Sequence, residues 1–424
     1  MIWVGLVIII LTAVAIVRRY EVRLVLFTSG FIMCLLSGAP LRAIAAFQST
    51  IVHGTFVPII TTVMGFAFVL KLTECDTHLV NALAKPMTAL NKALIPAAVV
   101  LTFIINIFIP SAAGVGAAVG AIIIPLLVAA GIHPAAAASA VLAGTFGSTL
   151  NPGNAHIVMV SGIADVDVMY TISRIAPLSI VSMVIGAIAL TVVSVIRKEN
   201  SGYVPARPED ALVQVDVAGF KVNPLKALVP VTPLVFLVIG SPMVGLFPVP
   251  LTVPQAMIGG IVLAGLVSLT NAQKVSSAFF DGMGSAFGQV IGIIAAATAF
   301  TTGMDLIGVT PALIAAMERS EAIVLIAAPF GPMLITVLAG SGDAVSMAFN
   351  NAITPHAAQF GFDTITLGNI VNLAGGIGRS MSPVGGVGII CAALAKVNPI
   401  ELTKRNAAGM FLATVFLMIS LIIF

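Results

Sequence analysis

The sequence predicts an all-α polytopic membrane protein assembled from two copies of one unit, and three observations carry that prediction. Apolar residues make up 59% of the 424-residue chain, while Asp, Glu, Lys and Arg together make up only 8%. A soluble domain carries roughly a quarter charged residues because its surface faces water, so most of this surface must face hydrocarbon instead. Long Leu, Ile, Val and Ala runs recur along the chain at lengths near the ~20 residues of a helical crossing. Gly and Pro positions of the first half recur in the second half at a nearly constant spacing.

The apolar stretches fall at residues 2–17, 24–38, 50–70, 94–110, 135–160 and 176–196, then at 227–248, 254–271, 284–303, 322–340, 364–395 and 408–424. Several are short for a full crossing, so about 10 to 12 spans are expected. A β-barrel is excluded, since its strands would be short and alternating rather than continuously apolar. The first stretch has no basic residue ahead of it and no small-residue cleavage site behind it, so it reads as a retained helix. Arg18, Arg19 and Arg23 follow it and place the next loop in the cytoplasm. Cys34, Cys75 and Cys391 stand singly, with no metal-ligand spacing, and no metal site is expected. A net charge of +3 is too small and too dispersed for a nucleic-acid partner.

The duplication is read from position. Residues 197–226 form the longest polar interval, with both charge signs and several prolines, and divide the chain into an N-terminal unit (1–196) and a C-terminal unit (227–424). Gly144, Gly147, Pro152, Val166 and Arg174 match Gly375, Gly378, Pro383, Val397 and Arg405 at one offset. Ser111, Pro125 and Gly131 match Ser341, Pro355 and Gly361 at an offset one residue smaller. Internal repeats are a hallmark of secondary transporters, whose substrate site lies between the halves at mid-membrane. Six stretches per half would leave the second copy upright, and an odd number would invert it; hydropathy leaves both open.

Within apolar helices the informative residues are polar, because an unpaired polar group in lipid costs several kcal/mol. They gather in four places. Ser111 and Ser341 open two Gly-rich stretches, read as re-entrant hairpins over about 111–131 and 341–361, with Ser/Gly tips. The other two are breaks in long apolar segments, read as broken helices over about 135–160 and 364–395, at Ser148–Asn154 and at Arg379–Gly385. Proline at each break removes a backbone donor and forces the helix to unwind. Two tips meeting two breaks make a polar pocket in an apolar body. Its candidate substrate ligands are Ser111, Ser148, Asn151, Asn154, Ser341, Arg379, Ser380 and Ser382.

Each has a plainer reading as well. Ser and Thr in membrane helices commonly bond their own preceding carbonyls. Arg379 differs: a guanidinium at this depth needs an anionic partner, and its planar fork suits a carboxylate, whether a substrate's or that of Asp343. Asp343, His156 and Asn350 are the candidates for ion coupling, with a proton or sodium as the coupling cation and no other cofactor. The plainer alternative for Asp343 is a structural partner of Arg379, and for His156 a structural hydrogen-bonder; the sequence does not choose between them. Asp165, Asp167, Lys396, Lys404 and Arg405 read as interfacial anchors of helix ends.

Seven stretches, Arg19–Leu36, Met64–Pro86, Pro110–Gly116, Asn151–His156, Gly340–Asp343, Gly378–Pro383 and Asn398–Arg405, together resemble the anaerobic C4-dicarboxylate carriers of the DcuC type, within the wider ion-transporter superfamily. The resemblance implies a bacterial inner-membrane carrier with two inverted repeats, each holding a re-entrant hairpin and a broken helix. It further implies a homodimer joined through scaffold helices, with the hairpin-bearing transport domain moving as an elevator. Succinate, fumarate and malate are the implied substrates. Site roles carry over onto Ser111, Asn151, Asn154, Ser341, Asp343, Arg379 and Ser382. Both hairpin tips lack the Asn-Thr pair of sodium-coupled relatives, which favours protons or simple exchange. The competing expectations are a carrier of another organic anion or amino acid, and a cation/proton antiporter working through Asp343. An enzyme is not expected, because no Ser/Lys, Asp/Asp or His metal constellation stands at helical spacing.

Overall fold

The computed structural model describes residues 1–18, 20–54, 56–89, 93–205, 212, 219–240, 244, 251–318 and 321–423. Arg19 and most of the middle of the polar linker (206–211 and 213–218) lie outside the described residues. Among those described, all regular structure is helical. The helices are α1 (Ile2–Val17), α2 (Val22–Leu36), α3 (Leu41–Ile51), α4 (Phe56–Thr73), α5 (Cys75–Ala84), α6 (Leu94–Phe108), α7 (Ala112–Ala129), α8 (Pro134–Ala143), α9 (Ala155–Ala164) and α10 (Val168–Ile196). After the linker come α11 (Pro224–Leu228), α12 (Thr232–Ile239), α13 (Val253–Ser268), α14 (Ala272–Ala286) and α15 (Gly292–Leu306). The chain closes with α16 (Val309–Glu318), α17 (Glu321–Ala339), α18 (Gly342–Ile353), α19 (Thr364–Arg379), α20 (Gly386–Leu394) and α21 (Pro399–Ile423).

Four uninterrupted helices among the described residues are long and apolar enough to cross a membrane alone: Ala112–Ala129, Val168–Ile196, Ala272–Leu306 and Pro399–Ile423. A fifth is a pair bent by 75° at Glu74, Val57–Thr73 with Cys75–Met87. Six further apolar helices are shorter, from 10 to 17 residues. Continuous helix is therefore scarcer than the 10 to 12 apolar stretches suggest, because Gly, Pro and left-handed residues end helices inside them. The expected hairpin over 111–131 is not found as drawn, because its inner glycines and Pro125 stay inside a continuous helix. Residues 112–129 form a single helix, not a hairpin, and the arm facing it is α6, joined through Ile109, Pro110 and Ser111. In the second half the arm before the tip is α17, joined to α18 through Gly340 and Ser341, and Gly340 takes a φ of +78 that favours glycine. After α18 the chain winds into a 3-10 stretch, Thr354–Phe360.

Both breaks lie inside their expected windows. Between α8 and α9 the chain makes a 3-10 turn at Gly147–Leu150 and unwinds to Asn154; between α19 and α20 it unwinds over Ser380–Gly385. The local signals match between halves. Ser111 and Ser341 are N-caps whose hydroxyls accept from Gly114 N at 3.1 Å and Ala344 N at 3.4 Å. Asn154 and Gly385 occupy the N-cap positions of α9 and α20. Asp165 and Lys396, each just beyond the second arm of a broken helix, have left-handed φ values of 53 and 54. Val166 N and Val397 N then reach back to Ser161 O and Ala392 O, closing the two helix ends in the same way.

One apolar core runs continuously through α6–α10 and α17–α21, with Phe146, Leu142, Ile377 and Leu417 fully or almost fully buried in it. α10 packs along α21. α4 packs with α13 and α14, and α2 with α15, while Ile60 of α4, Ile294 of α15, Met159 of α9 and Met347 of α18 share a further apolar cluster that joins these helices to the continuous body. The breaks belong to the continuous body and are packed backbone to backbone. A Cβ on Gly147 would fall inside van der Waals distance of the Phe103 carbonyl oxygen on α6. Gly147→Ala is therefore expected to destabilise the protein by about 1–3 kcal/mol, whereas Gly162→Ala, with nothing within 4 Å of the added carbon, should be neutral. Melting curves in detergent distinguish the two.

Candidate functional site

The two tips and the two breaks border one cavity of about 320 Å³. Two helices point their N-termini at it, α7 through Ser111, Ala112 and Ala113, and α18 through Ser341, Gly342 and Asp343. The first unsatisfied N–H groups of a helix and its dipole both favour an anion there. α9 begins at the same cavity, with the Asn154 carboxamide accepting from His156 N at 3.0 Å.

The charged groups meet in the middle. Arg379, the last residue of α19, donates from Nη1 to Asp343 Oδ1 at 2.8 Å and from Nη2 to the Thr145 carbonyl at 3.0 Å. His156 Nε2 lies 3.1 Å from the same Asp343 oxygen. The guanidinium and imidazole are deeply packed, at 12% and 9% side-chain exposure, while the Asp343 side chain is 57% open to the cavity. Arg379 Nε and His156 Nδ1 are buried without a hydrogen-bond partner among the described residues. A buried polar atom without a partner is costly, so Arg379 Nε and His156 Nδ1 are two groups whose hydrogen-bonding capacity the packing leaves unused. The contributing segments are far apart in sequence: α9 from the first half, α18 and α19 from the second.

The structure divides the sequence-derived candidates in two. Ser111, Asn154, His156, Ser341, Asp343 and Arg379 line the cavity together. Ser148, Asn151, Ser380, Ser382 and Asn350 do not. Asn151 donates to Ile107 O at 2.7 Å and accepts from Gly153 N at 2.8 Å. Ser148 gives its N–H to Asn106 Oδ1 at 2.9 Å. Ser380 bonds Gly376 O at 3.1 Å, and Ser382 bonds Val337 O at 2.9 Å. Asn350 is held between Asn372 at 2.6 Å and Thr354 at 2.6 Å. Asn151, Ser380, Ser382 and Asn350 are committed to internal partners through their side chains, and Ser148 through its backbone N–H, because unwound backbone at membrane depth must be satisfied by protein.

Three contributors were not singled out from the sequence. The Thr145 carbonyl is freed by the break itself and receives Arg379. Asn106 braces the first break, accepting from Ser148 N while donating to Ile109 O at 3.0 Å; a fully buried Asn in an apolar helix was the available signal. Gln289 lines the cavity from a π-helical turn, Phe287–Ile291, between α14 and α15. It is a lone amide in an apolar stretch. Among the described residues no group of three His, Cys, Asp or Glu side chains is arranged to hold a metal.

The sequence model of the C4-dicarboxylate anaerobic carriers, DcuC, matches residues 2–424. The chain belongs to this family. Its similarity to individual DcuC relatives is spread over the whole length: it is 24% identical to the anaerobic C4-dicarboxylate transporter DcuC of Escherichia coli K12, over 98% of this chain and 95% of that one. A putative uncharacterized transporter of Haemophilus influenzae is 37% identical over 63% of this chain and 98% of its own. In fold, the DcuC-family chain is similar to MtrF of Neisseria gonorrhoeae, described as illuminating a class of antimetabolite efflux pumps, with a TM-score of 0.61 at 14% identity over 91% of this chain and 83% of that one. The family and these relatives are transporters, not enzymes, and the chain is a multi-pass membrane protein.

Proposed function

We propose that this protein moves C4-dicarboxylates such as succinate, fumarate and malate across the bacterial inner membrane by alternating access. The observation that carries the reading is the convergence of two capped helix N-termini and the Arg379–Asp343 pair on one cavity of about 320 Å³, which sets anion-binding groups in an apolar body. A small carboxylate has donors to meet there: the first N–H groups of α7 and α18, with the Arg379 guanidinium on the same lining. In this reading Asp343 holds the guanidinium in place between transport events, and with His156 forms the proton-coupling pair. Asn154 and the capping hydroxyls of Ser111 and Ser341 shape the anion seat. Ser148, Asn151, Ser380, Ser382 and Asn350 act as positioning residues that keep the breaks open.

The proposal extends to architecture. Residues 1–196 and 227–424 are read as two inverted repeats joined by the 197–226 linker, a reading supported by the matched caps and left-handed helix ends. The body carrying the tips and breaks is read as the elevator, and α2–α4 with α13–α15 as the scaffold of a homodimer. Support for that division comes from the clusters of α4 with α13 and α14 and of α2 with α15, which meet the continuous body along the cluster of Ile60, Met159, Ile294 and Met347.

Counterflow of labelled succinate in proteoliposomes tests the substrate. Exchange driven by C4-dicarboxylates and not by monocarboxylates or amino acids is expected; the reverse preference overturns the substrate class. A cation/proton antiporter is the competing reading, and one observation weighs against it. The carboxylate that would bind the cation lies 2.8 Å from a guanidinium, whose charge repels a cation at the same place. Sodium flux that is lost in Asp343→Asn, with no dicarboxylate exchange in the parent protein, would establish it instead.

A further inference from the structure

The cavity wall supplied by α4 and the α14–α15 helix is apolar, made by Ile60, Val63, Met64, Val290 and Ile293, and is broken by one polar side chain, Gln289. Gln289 owes its placement to the π-helical turn Phe287–Ile291, a wide turn that re-aims side chains inside an otherwise regular helix. The turn is held from outside, since the Arg23 guanidinium at the start of α2 donates to the carbonyl of Gly288. Gln289 also borders a second, more open space of about 430 Å³ whose rim carries Tyr20, Glu21 and Arg23, and whose other wall includes Ala339 and Val384, beside the second tip and the second break. The amide therefore stands where the two spaces adjoin, and it is exposed to them.

We propose that Gln289 is the specificity-determining ligand for the far carboxylate of the substrate, and that its distance from the charged end of the cavity measures the length of the carbon chain. The inference rests on the dicarboxylate reading above. With one carboxylate seated at Arg379 and the helix N-termini, the apolar wall suits the methylene or vinyl centre of a C4 acid, and the second carboxylate needs a donor beyond it. Gln289 has two N–H donors and carries no charge. A neutral donor holds a carboxylate less tightly than a second cation would, which suits a carrier that must release its cargo. A monocarboxylate of equal length leaves the amide without its partner and is selected against.

Three variants test this by binding and counterflow with succinate, glutarate and butyrate. Gln289→Leu is expected to weaken succinate about tenfold while changing butyrate less than twofold, a loss of about 1.4 kcal/mol in discrimination. Gln289→Asn keeps the amide but retracts it by one methylene, so preference should move from succinate toward glutarate. Gln289→Glu should repel both diacids more than butyrate. A Gln289→Leu protein that keeps the parent ratio of succinate to butyrate, with Gln289→Asn showing no shift toward glutarate, overturns the proposal. If Gln289→Leu fails to fold, the Asn variant alone decides. A parent protein that binds no C4-dicarboxylate sinks the underlying reading instead, so the two failures are told apart before any variant is made.

Discussion

Arg379→Gln is expected to reduce succinate counterflow by about 100-fold, the largest functional effect of any single change at the site. Among the described residues the guanidinium is the only cationic side chain of fixed charge on the cavity lining, and hydrogen bonds to charged groups contribute roughly 1.5–3 kcal/mol each. Glutamine keeps much of the volume and a donor but gives up the charge, the fork and the hold on Thr145 O. Arg379→Lys should retain the charge and lose only the fork, with a smaller deficit of about tenfold. The pairing with Asp343 complicates a single-variant result, since an unpaired carboxylate beside the cavity is itself a cost. The double variant Arg379→Gln with Asp343→Asn removes both charges and should regain thermal stability without regaining transport. Parent-like counterflow in Arg379→Gln would remove the anion seat from the mechanism.

The largest effect on stability is expected at Arg405, far from the cavity. Its side chain is 3% exposed. The guanidinium donates to Glu199 through Nε at 2.8 Å and through Nη2, and to Glu401 at its carboxylate (2.8 Å) and its carbonyl (2.6 Å). Glu199 begins the linker after α10, and its carbonyl accepts from His133 N at 2.9 Å at the start of α8. One side chain therefore ties α21, the linker and the α7–α8 turn together. Removing one partner of a buried pair costs about 3–5 kcal/mol, because the remaining charge is stranded. Arg405→Ala should lower the detergent melting temperature by several degrees or prevent recovery of folded protein. Adding Glu199→Gln should restore part of the loss, by removing the stranded charge. An unchanged melting temperature in Arg405→Ala would mean that the linker is not anchored there.

Arg405 also shows what an alignment of halves does and does not carry. Its counterpart Arg174 occupies the matching position in α10, yet Arg174 is exposed while Arg405 is buried. The duplicated positions that behave alike are those where backbone chemistry is local: Ser111 with Ser341 as N-caps, and Asp165 with Lys396 as left-handed helix ends. The site is built asymmetrically on that matched frame. Arg379 and Asp343 come from the second half and His156 from the first, while Ser148, at the position matching Arg379, only braces a break.

Membrane residence, the helical class and the two paired interruptions were set by the sequence alone, because each follows from local chemistry: the scarcity of charge, the long apolar runs, and the proline and capping residues gathered at each interruption. Which polar groups face the cavity was decided only by tertiary structure. Ser148 and Asn151 turn to Asn106 and Ile107 on α6, and Ser382 turns to Val337 on α17, partners distant in sequence that no spacing announces. Gln289 reaches the cavity for a converse reason, since a single π-helical turn pinned by Arg23 re-aims it. In a medium without water every polar group must be satisfied by something, and whether that something is backbone or cargo depends on which helix packs alongside.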